Sequence, residues 1–343
     1  MTLGAQQGTS YRNIPVLVTG GMGFIGSNLV HALVHQGAQV TVLDALINGC
    51  GGDPSNIADL ASAVRIVNDD MANAECVKEL IPGQQVIFNL AGEISHIRSM
   101  TEPLRDLSIN CNAQLQFLNL CRLLNPAATI VYASSRQVYG SPKYVPVDEE
   151  HPVNPVDFNG VHKHAAEGYH FLLRQQFAMR TICLRLGNVY GPRQAIHQDC
   201  RGFIDAFIRK SLAGQAIEVF GDGQQKRGLL YVDDAVDAFL KAGSAGSAAA
   251  AVYNVSAFAP VPLIEIARTL AHVAGSPPPR VVPFPSERLS IDIGSFHSSS
   301  EKFHSEFAWS PQVGLEEGLR KTLEFFRSRR TSGSHASSHP ISR

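Results

Sequence analysis

The chain has 343 residues, 44% of them hydrophobic and 17% charged, with 29 basic against 30 acidic side chains and a formal net charge of −1. That length builds one large domain or two closely joined lobes, and the balanced charge argues against nucleic acid as a partner. Six cysteines, at 50, 76, 111, 121, 183 and 200, include no Cys-x-x-Cys pair, so neither a metal site nor a disulfide framework is indicated and a reduced, cytoplasmic protein is expected.

The chain opens on MTLGAQQGTSYRN, which lacks the basic-then-apolar order of a signal peptide and reads as a tail over 1–13. Short β-branched runs then alternate with helical patterns: IPVLVT, AQVTVLD, VRIV, QVIFNLA, ATIVYAS and RTICLRL each predict a buried parallel strand. The alternation predicts an α/β fold with a Rossmann-type, doubly wound parallel sheet over 14–187. After Leu186 the chain turns to loops, a helix at GFIDAFIRKSLAG and a strand at IEVF, the start of a smaller lobe over 188–228. YVDDAVDAFLKA and AVYNVS return the chain to the sheet over 229–256, and 257–326, with its PPPRVVPFP segment, completes the second lobe. The lobes are therefore interleaved. SRRTSGSHASSHPISR has almost nothing to bury and predicts a disordered tail from 329. No apolar run reaches membrane-spanning length.

The first strand runs into VTGGMGFIGSNLV, with Gly20, Gly23 and Gly26 at Gly-x-x-Gly-x-x-Gly spacing and Phe24 and Ile25 opening a helix. Glycines between a strand and a helix let backbone approach a pyrophosphate at the helix N-terminus; the plain alternative is a tight turn with no ligand. Asp44 ends the second strand roughly 20 residues on, where a carboxylate bonds both ribose hydroxyls and repels a 2′-phosphate. The expected cofactor is NAD, not NADP. Asp70 and Met71, after the third strand, suit an adenine edge and face, and a surface turn explains them nearly as well. Leu90, Ala91 and Gly92 at the end of the fourth strand complete the cofactor set.

The glycine spacing, NLAG (89–92), YASSRQVYG (132–140) and RLGNVYGPR (185–193) together resemble the extended short-chain dehydrogenase/reductases, within them the nucleotide-sugar epimerase/dehydratase group. The likeness covers about residues 14 to 326, including QQKRGLLYVDD and WSPQVGLEEGL. It implies an NAD-dependent enzyme on a nucleoside-diphosphate sugar, a UDP-sugar favoured. The reaction expected first is 4-epimerisation through a transient keto sugar, and a homodimer is expected through helices near 103–124 and 160–178. In that family a Tyr-x-x-x-Lys pair and a Ser or Thr manage the hydroxyl proton. By position Ser135 matches the hydroxyl and Lys163 the lysine, which in that family also bonds the nicotinamide ribose of the cofactor, but Asn159 falls where the tyrosine belongs.

An amide cannot exchange a proton near neutrality, and three readings follow. A substitute base acts, with Glu93 and His96 in AGEISHIRS as candidates that are equally readable as ordinary loop residues; or Asn159 holds a water that passes a proton to Lys163 or Ser135; or the protein only binds NAD and a nucleotide sugar. His162 and His164 are poorer bases, since i±1 neighbours of Lys163 face away from it. Dehydratases of the group carry an Asp-Glu pair after the Ser/Thr, where this chain has Arg136-Gln137. Arg136 suits the carboxylate of a uronic acid sugar, which keeps decarboxylation open, or else it meets a structural carboxylate or phosphate. The resemblance gives the sugar diphosphate to Asn188, Arg227 and Arg288.

Overall fold

The computed structural model describes residues 10–196, 202–246, 248, 250–257, 259–284 and 293–334. Six of the predicted runs form strands close to where the pattern placed them: β1 (Pro15–Thr19), β2 (Gln39–Leu43), β3 (Arg65–Val67), β4 (Val86–Asn89), β5 (Thr129–Ser135) and β6 (Arg180–Leu186). With β11 (Val252–Val255) they make one seven-stranded sheet in the order β11-β6-β5-β4-β1-β2-β3, every pairing parallel. Residues such as Val16, Val18, Ile87, Phe88 and Ile130 are fully buried because helices cover both faces, which is why these strands read as continuous apolar runs. The order reverses between β1 and β4, where Val18 pairs Val42 on one side and Phe88 on the other. A crevice opens at the carboxyl ends of these strands, the usual ligand position in such sheets.

The helices over the sheet are α1 (Phe24–His35), α2 (Ala74–Leu80), α3 (His96–Thr101), α4 (Pro103–Leu107), α5 (Ala113–Leu124) and α6 (Phe158–Phe177), a π-helical turn over Ser108–Asn112 joining α4 to α5. The twenty-residue α6 starts where the Asp157 carboxylate accepts from Gly160 N at 2.7 Å and stops at Ala178, which takes a left-handed backbone. The second lobe carries β7 (Asn188–Tyr190), α7 (Phe203–Leu212), β8 (Glu218–Phe220), β9 (Lys226–Arg227) and β10 (Leu229–Tyr231). After α8 (Val232–Ser244) and β11 it resumes with β12 (Val261–Pro262), α9 (Leu263–Ala274), β13 (Arg280–Val282), α10 (Glu301–Phe307) and α11 (Leu315–Ser334). Its strands pair two by two, β10 with β7, β12 with β9 and β13 with β8.

Three sequence boundaries move. Residues 10–13 are no tail: Tyr11 is buried and its hydroxyl donates to Leu240 O at 2.7 Å. The return to the sheet begins at α8, because Leu229–Tyr231 pairs with β7 in the second lobe. At the other end α11 continues to Ser334, so the tail predicted from 329 starts inside a helix; residues 335–343 lie outside the described set. Arg329 donates to Asn56 Oδ1 at 3.1 Å and to Ser55 O at 2.8 Å. Asn56 also donates to Met22 O in the glycine turn at 3.0 Å and accepts at its carbonyl from Arg193 Nε at 3.2 Å. The buried Asn56 thus joins α11, the loop after β7 and the turn at the crevice.

Candidate active site

The crevice floor is built by backbone. Gly20 adopts φ +69°, and a Cβ on Gly26 would stand 2.1 Å from Gly20 O, so a side chain at 26 would push α1 off the turn. Phe24 and Ile25 turn their side chains into the core; what they offer the crevice is their amides, which a first helical turn leaves without an acceptor inside the helix. Asp44 accepts from Met22 N and Leu46 N, both at 2.9 Å. Burial pushes its carboxyl up, opposed by those two amides. With Gly20 and Gly23, the crevice is lined by Asp44, Asp70, Met71 and Leu90 to Gly92. Asp70 closes a turn on Ala72 N at 2.8 Å, and buried Met71 forms an apolar wall. Thr19 Oγ1 accepts from Leu90 N and Ala91 N, both at 3.2 Å, which fixes the end of β4 against β1.

Beyond Gly92 lie the residues expected at the reactive end. Lys163 Nζ donates to Ala133 O on β5 at 3.3 Å and sits over the Tyr132 ring at 5.1 Å. A Cβ on Gly92 would come within 2.9 Å of Nζ. Burial pushes Lys163 down to about 8, against the pull of Asp106, Glu93 and Glu167. Ser135 ends β5 with its Oγ accepting from Gln137 N at 3.2 Å. His96, at the start of α3, reaches two other elements: Nδ1 lies 2.5 Å from Asp157 Oδ2 and Nε2 lies 2.6 Å from Gln137 Nε2.

On the second-lobe side Arg136 Nε donates to Asn188 Oδ1 at 3.3 Å, and its guanidinium lies 5.1 Å from the Phe296 ring. It makes no ion pair with a structural carboxylate among the described residues. Burial, then the nearby charge of Arg227, pushes Arg136 down to about 10. Arg227 is buried and donates to Gly294 O at 2.5 Å. Arg136, Asn188 and Arg227 therefore converge, while Arg288 lies outside the described residues.

Residues 16–256 match the model of the NAD dependent epimerase/dehydratase family. The chain belongs to that family. A UDP-glucose 4-epimerase from Mycolicibacterium smegmatis is 32% identical over 320 residues, 91% of this chain and 98% of that one. Among solved structures, the UDP-glucose 4-epimerase of Thermotoga maritima with UDP-glucose superposes with a TM-score of 0.83 at 28% identity, covering 92% of this chain and all of the other. That of Thermus thermophilus, a complex with NAD, gives 0.80 at 30%, covering 92% and 99%. The glycine turn, Asp44 and the amides of α1 form a cradle that fits the cofactor of an NAD-dependent enzyme.

Within the epimerase/dehydratase family frame, one candidate base needs correction. The Asn159 amide nitrogen donates to Glu93 O and Asp106 Oδ2, both at 2.8 Å, and its oxygen is buried without a donor. Glu93 is 1% exposed, and its carboxylate accepts from Ile94 N at 2.9 Å, Ser95 N at 3.1 Å, Arg98 Nη1 at 3.2 Å and the Cys50 thiol at 3.4 Å. With its oxygens so occupied it is an anchor for the loop. His162 does not face away either: three residues after Asn159, it meets the same Asp106 at 2.7 Å. His164 pairs with Glu167 at 3.2 Å.

Sequence reasoning passed over three residues that hold this site, and named a fourth, Gln137, without this role. Asp106 and Asn110, the latter in the π-turn, secure Asn159 and the Glu93 backbone. Gln137 and Asp157 hold His96. Only Asp157 left a local signal, as a capping residue before the apolar run of α6.

Proposed function

We propose that the chain is a UDP-sugar 4-epimerase. The observation that carries the reading is the meeting of Arg136, Asn188 and Arg227 beyond a crevice that ends at Lys163 and Ser135. Two guanidinium groups close enough for one to depress the other call for an anion between them, and a sugar diphosphate supplies one. NAD supplies a reversible hydride acceptor. The chain's own residues do the rest: the α1 amides and Asp44 hold the dinucleotide, Arg136, Asn188 and Arg227 hold the diphosphate, and Ser135 and Lys163 orient the sugar hydroxyl. The epimerases among the relatives support 4-epimerisation, and Arg136 favours a second reading, action on a sugar carboxylate. Purified protein incubated with UDP-, GDP-, CDP- and dTDP-sugars separates them: 4-epimer products from UDP-sugars uphold the proposal, carbon dioxide release favours the second, and no product from any sugar defeats both.

We infer a homodimer through α5 and α6. Their outer faces expose Leu115, Leu123, Leu124, Val161 and Leu172, each 41% or more accessible, and Arg122 over Phe177 at 4.7 Å ties the two helices into one surface. Among the described residues no helix is long and apolar enough to cross a membrane. The five described cysteines are free, which supports a reducing cytoplasmic setting.

A further inference from the structure

We propose that His96, oriented by Asp157 and attended by Gln137, takes and returns the sugar hydroxyl proton in place of the absent phenol; this rests on the epimerase reading above. Three segments converge on one imidazole: the loop after β4 supplies His96, the turn after β5 supplies Gln137, and the start of α6 supplies Asp157. All three leave the sheet at its carboxyl edge. Gln137 is two residues beyond Ser135, whose hydroxyl accepts from the Gln137 amide, so the imidazole Nε2 is linked to the turn that carries the substrate-orienting hydroxyl. His96 keeps 33% of its side chain exposed, whereas Asp157 keeps 3%, the pattern of an accessible base with a buried orienting carboxylate.

The hydrogen bonds fix the proton. Asp157 uses Oδ1 to accept from Gly160 N, so Oδ2 is the oxygen that faces Nδ1. Burial raises the Asp157 carboxyl, but the His96 bond and charge, the Gly160 amide and the Arg136 charge outweigh it and hold the group below its ordinary value. An ionised Asp157 accepts only, which places a hydrogen on Nδ1; in the neutral ring, the resting form of the proposal, the Nε2 lone pair then faces Gln137. Gln137 donates to that lone pair through Nε2, and its Oε1 is buried with no partner. Rotated by half a turn, the same amide presents Oε1 to a protonated Nε2. To take the proton, Nε2 exchanges the Gln137 amide for the sugar hydroxyl, and the rotated amide then accepts from the protonated ring.

In the forward step the sugar O–H bond would break, its proton passing to Nε2 and its electron pair forming the carbonyl, and bound NAD would supply the two-electron acceptor for the hydride on that carbon. The sugar loses two electrons and the acceptor gains them. The return step reverses both transfers on the other face of the carbonyl, so His96 ends as it began. Lys163, bonded to Ala133 O and set in the field of three carboxylates, remains a cation that favours the developing oxyanion.

The test combines kinetics with the nitrogen NMR of His96. In the unaltered protein the Nδ1–H tautomer is expected. His96→Gln should lower kcat by about 10² to 10⁴-fold with KM for the UDP-sugar and NAD affinity each within about threefold. Asp157→Asn keeps the α6 cap, since Asn caps as well as Asp, yet turns a donor toward Nδ1. It should shift His96 to the Nε2–H tautomer and lower kcat, and the double variant should be no slower than His96→Gln alone. An Nε2–H tautomer in the unaltered protein, or His96→Gln turning over at the unaltered rate, overturns the proposal and leaves the epimerase reading standing. Absence of turnover in the unaltered protein with every nucleotide sugar overturns that reading, and the role of His96 with it.

Discussion

Asp44 is the carboxylate we propose selects the cofactor, and it is set before any ligand is bound. Its oxygens are already aimed by Met22 N and Leu46 N, so a ribose diol meets an oriented acceptor and a 2′-phosphate meets a like charge. Calorimetry should find NAD bound far more tightly than NADP, and Asp44→Ala should narrow the gap; equal affinities in the unaltered protein would refute the assignment. Lys163 gives a second prediction. With its folded value lowered from 10.5 to about 8, between those pH values the unfolded chain holds a proton that the folded chain has released. Stability should therefore rise with pH across that window, the burden being fully present below pH 8. Urea unfolding from pH 7.5 to 10.5 should show this rise, and Lys163→Met should flatten it. Both residues were legible in the sequence because each stands at a fixed offset from a motif. Asn159 was legible as a departure, but its partner Asp106 was not, since 53 residues separate a pair brought together only by packing α4 on α6. Glu93 was misread for a related reason: a charged residue in a loop looks available until the fold surrounds it with four donors.

Among elements, α6 carries the most. Asn159, Lys163 and Glu167 follow one another at i, i+4 and i+8 on its inner face, and each bonds a different neighbour: Asp106 on α4, Ala133 on β5 and Arg185 on β6. Glu167 and Arg185 form a buried two-point pair at 2.8 and 2.7 Å that fixes the height of the helix over the sheet. The opposite face, with Val161 and Leu172, is apolar and open. Leu172→Asp together with Leu123→Asp should convert a dimer to a monomer by sedimentation while leaving the far-ultraviolet circular dichroism unchanged; a protein that sediments as a monomer before mutation would exclude the interface. The period of α6 was plain in the sequence, whereas β13 was not, because a three-residue strand between prolines pairs only with another short strand, β8.

At the scale of the molecule, the proposed cofactor and substrate sites belong to different lobes. Arg227 stands on β9 in the second lobe, far along the chain from the glycine turn, so its removal should separate the two ligands. Arg227→Ala should weaken UDP-sugar binding by about 10 to 150-fold, the range of a lost charge-assisted contact, with NAD affinity unchanged; an unchanged sugar affinity by titration would remove Arg227 from the diphosphate site. The interleaving itself was readable from the return of strand-like and helix-like patterns after residue 229, because β11 is apolar enough to sit beside β6. The convergence of Arg136 with Arg227 was not, since cationic side chains carry no periodicity.

Asn56 gives the far end of the chain a hold on the near end. The glycine turn proposed to receive the dinucleotide leans on Asn56 through Met22 O, and Asn56 is in turn gripped by Arg329 near the end of α11. More than 270 residues of sequence thus close into a loop by two hydrogen bonds, and the cofactor turn becomes a gauge of whether the polypeptide was made to its last helix. A chain stopped at residue 328 should fold and yet bind NAD more weakly than one stopped at 334, measured side by side by calorimetry; equal affinity would show that the grip is idle. Ribosomes that stall, proteases that nip or fusion partners that crowd this helix would then be registered first as lost nucleotide affinity, well before the core gives way.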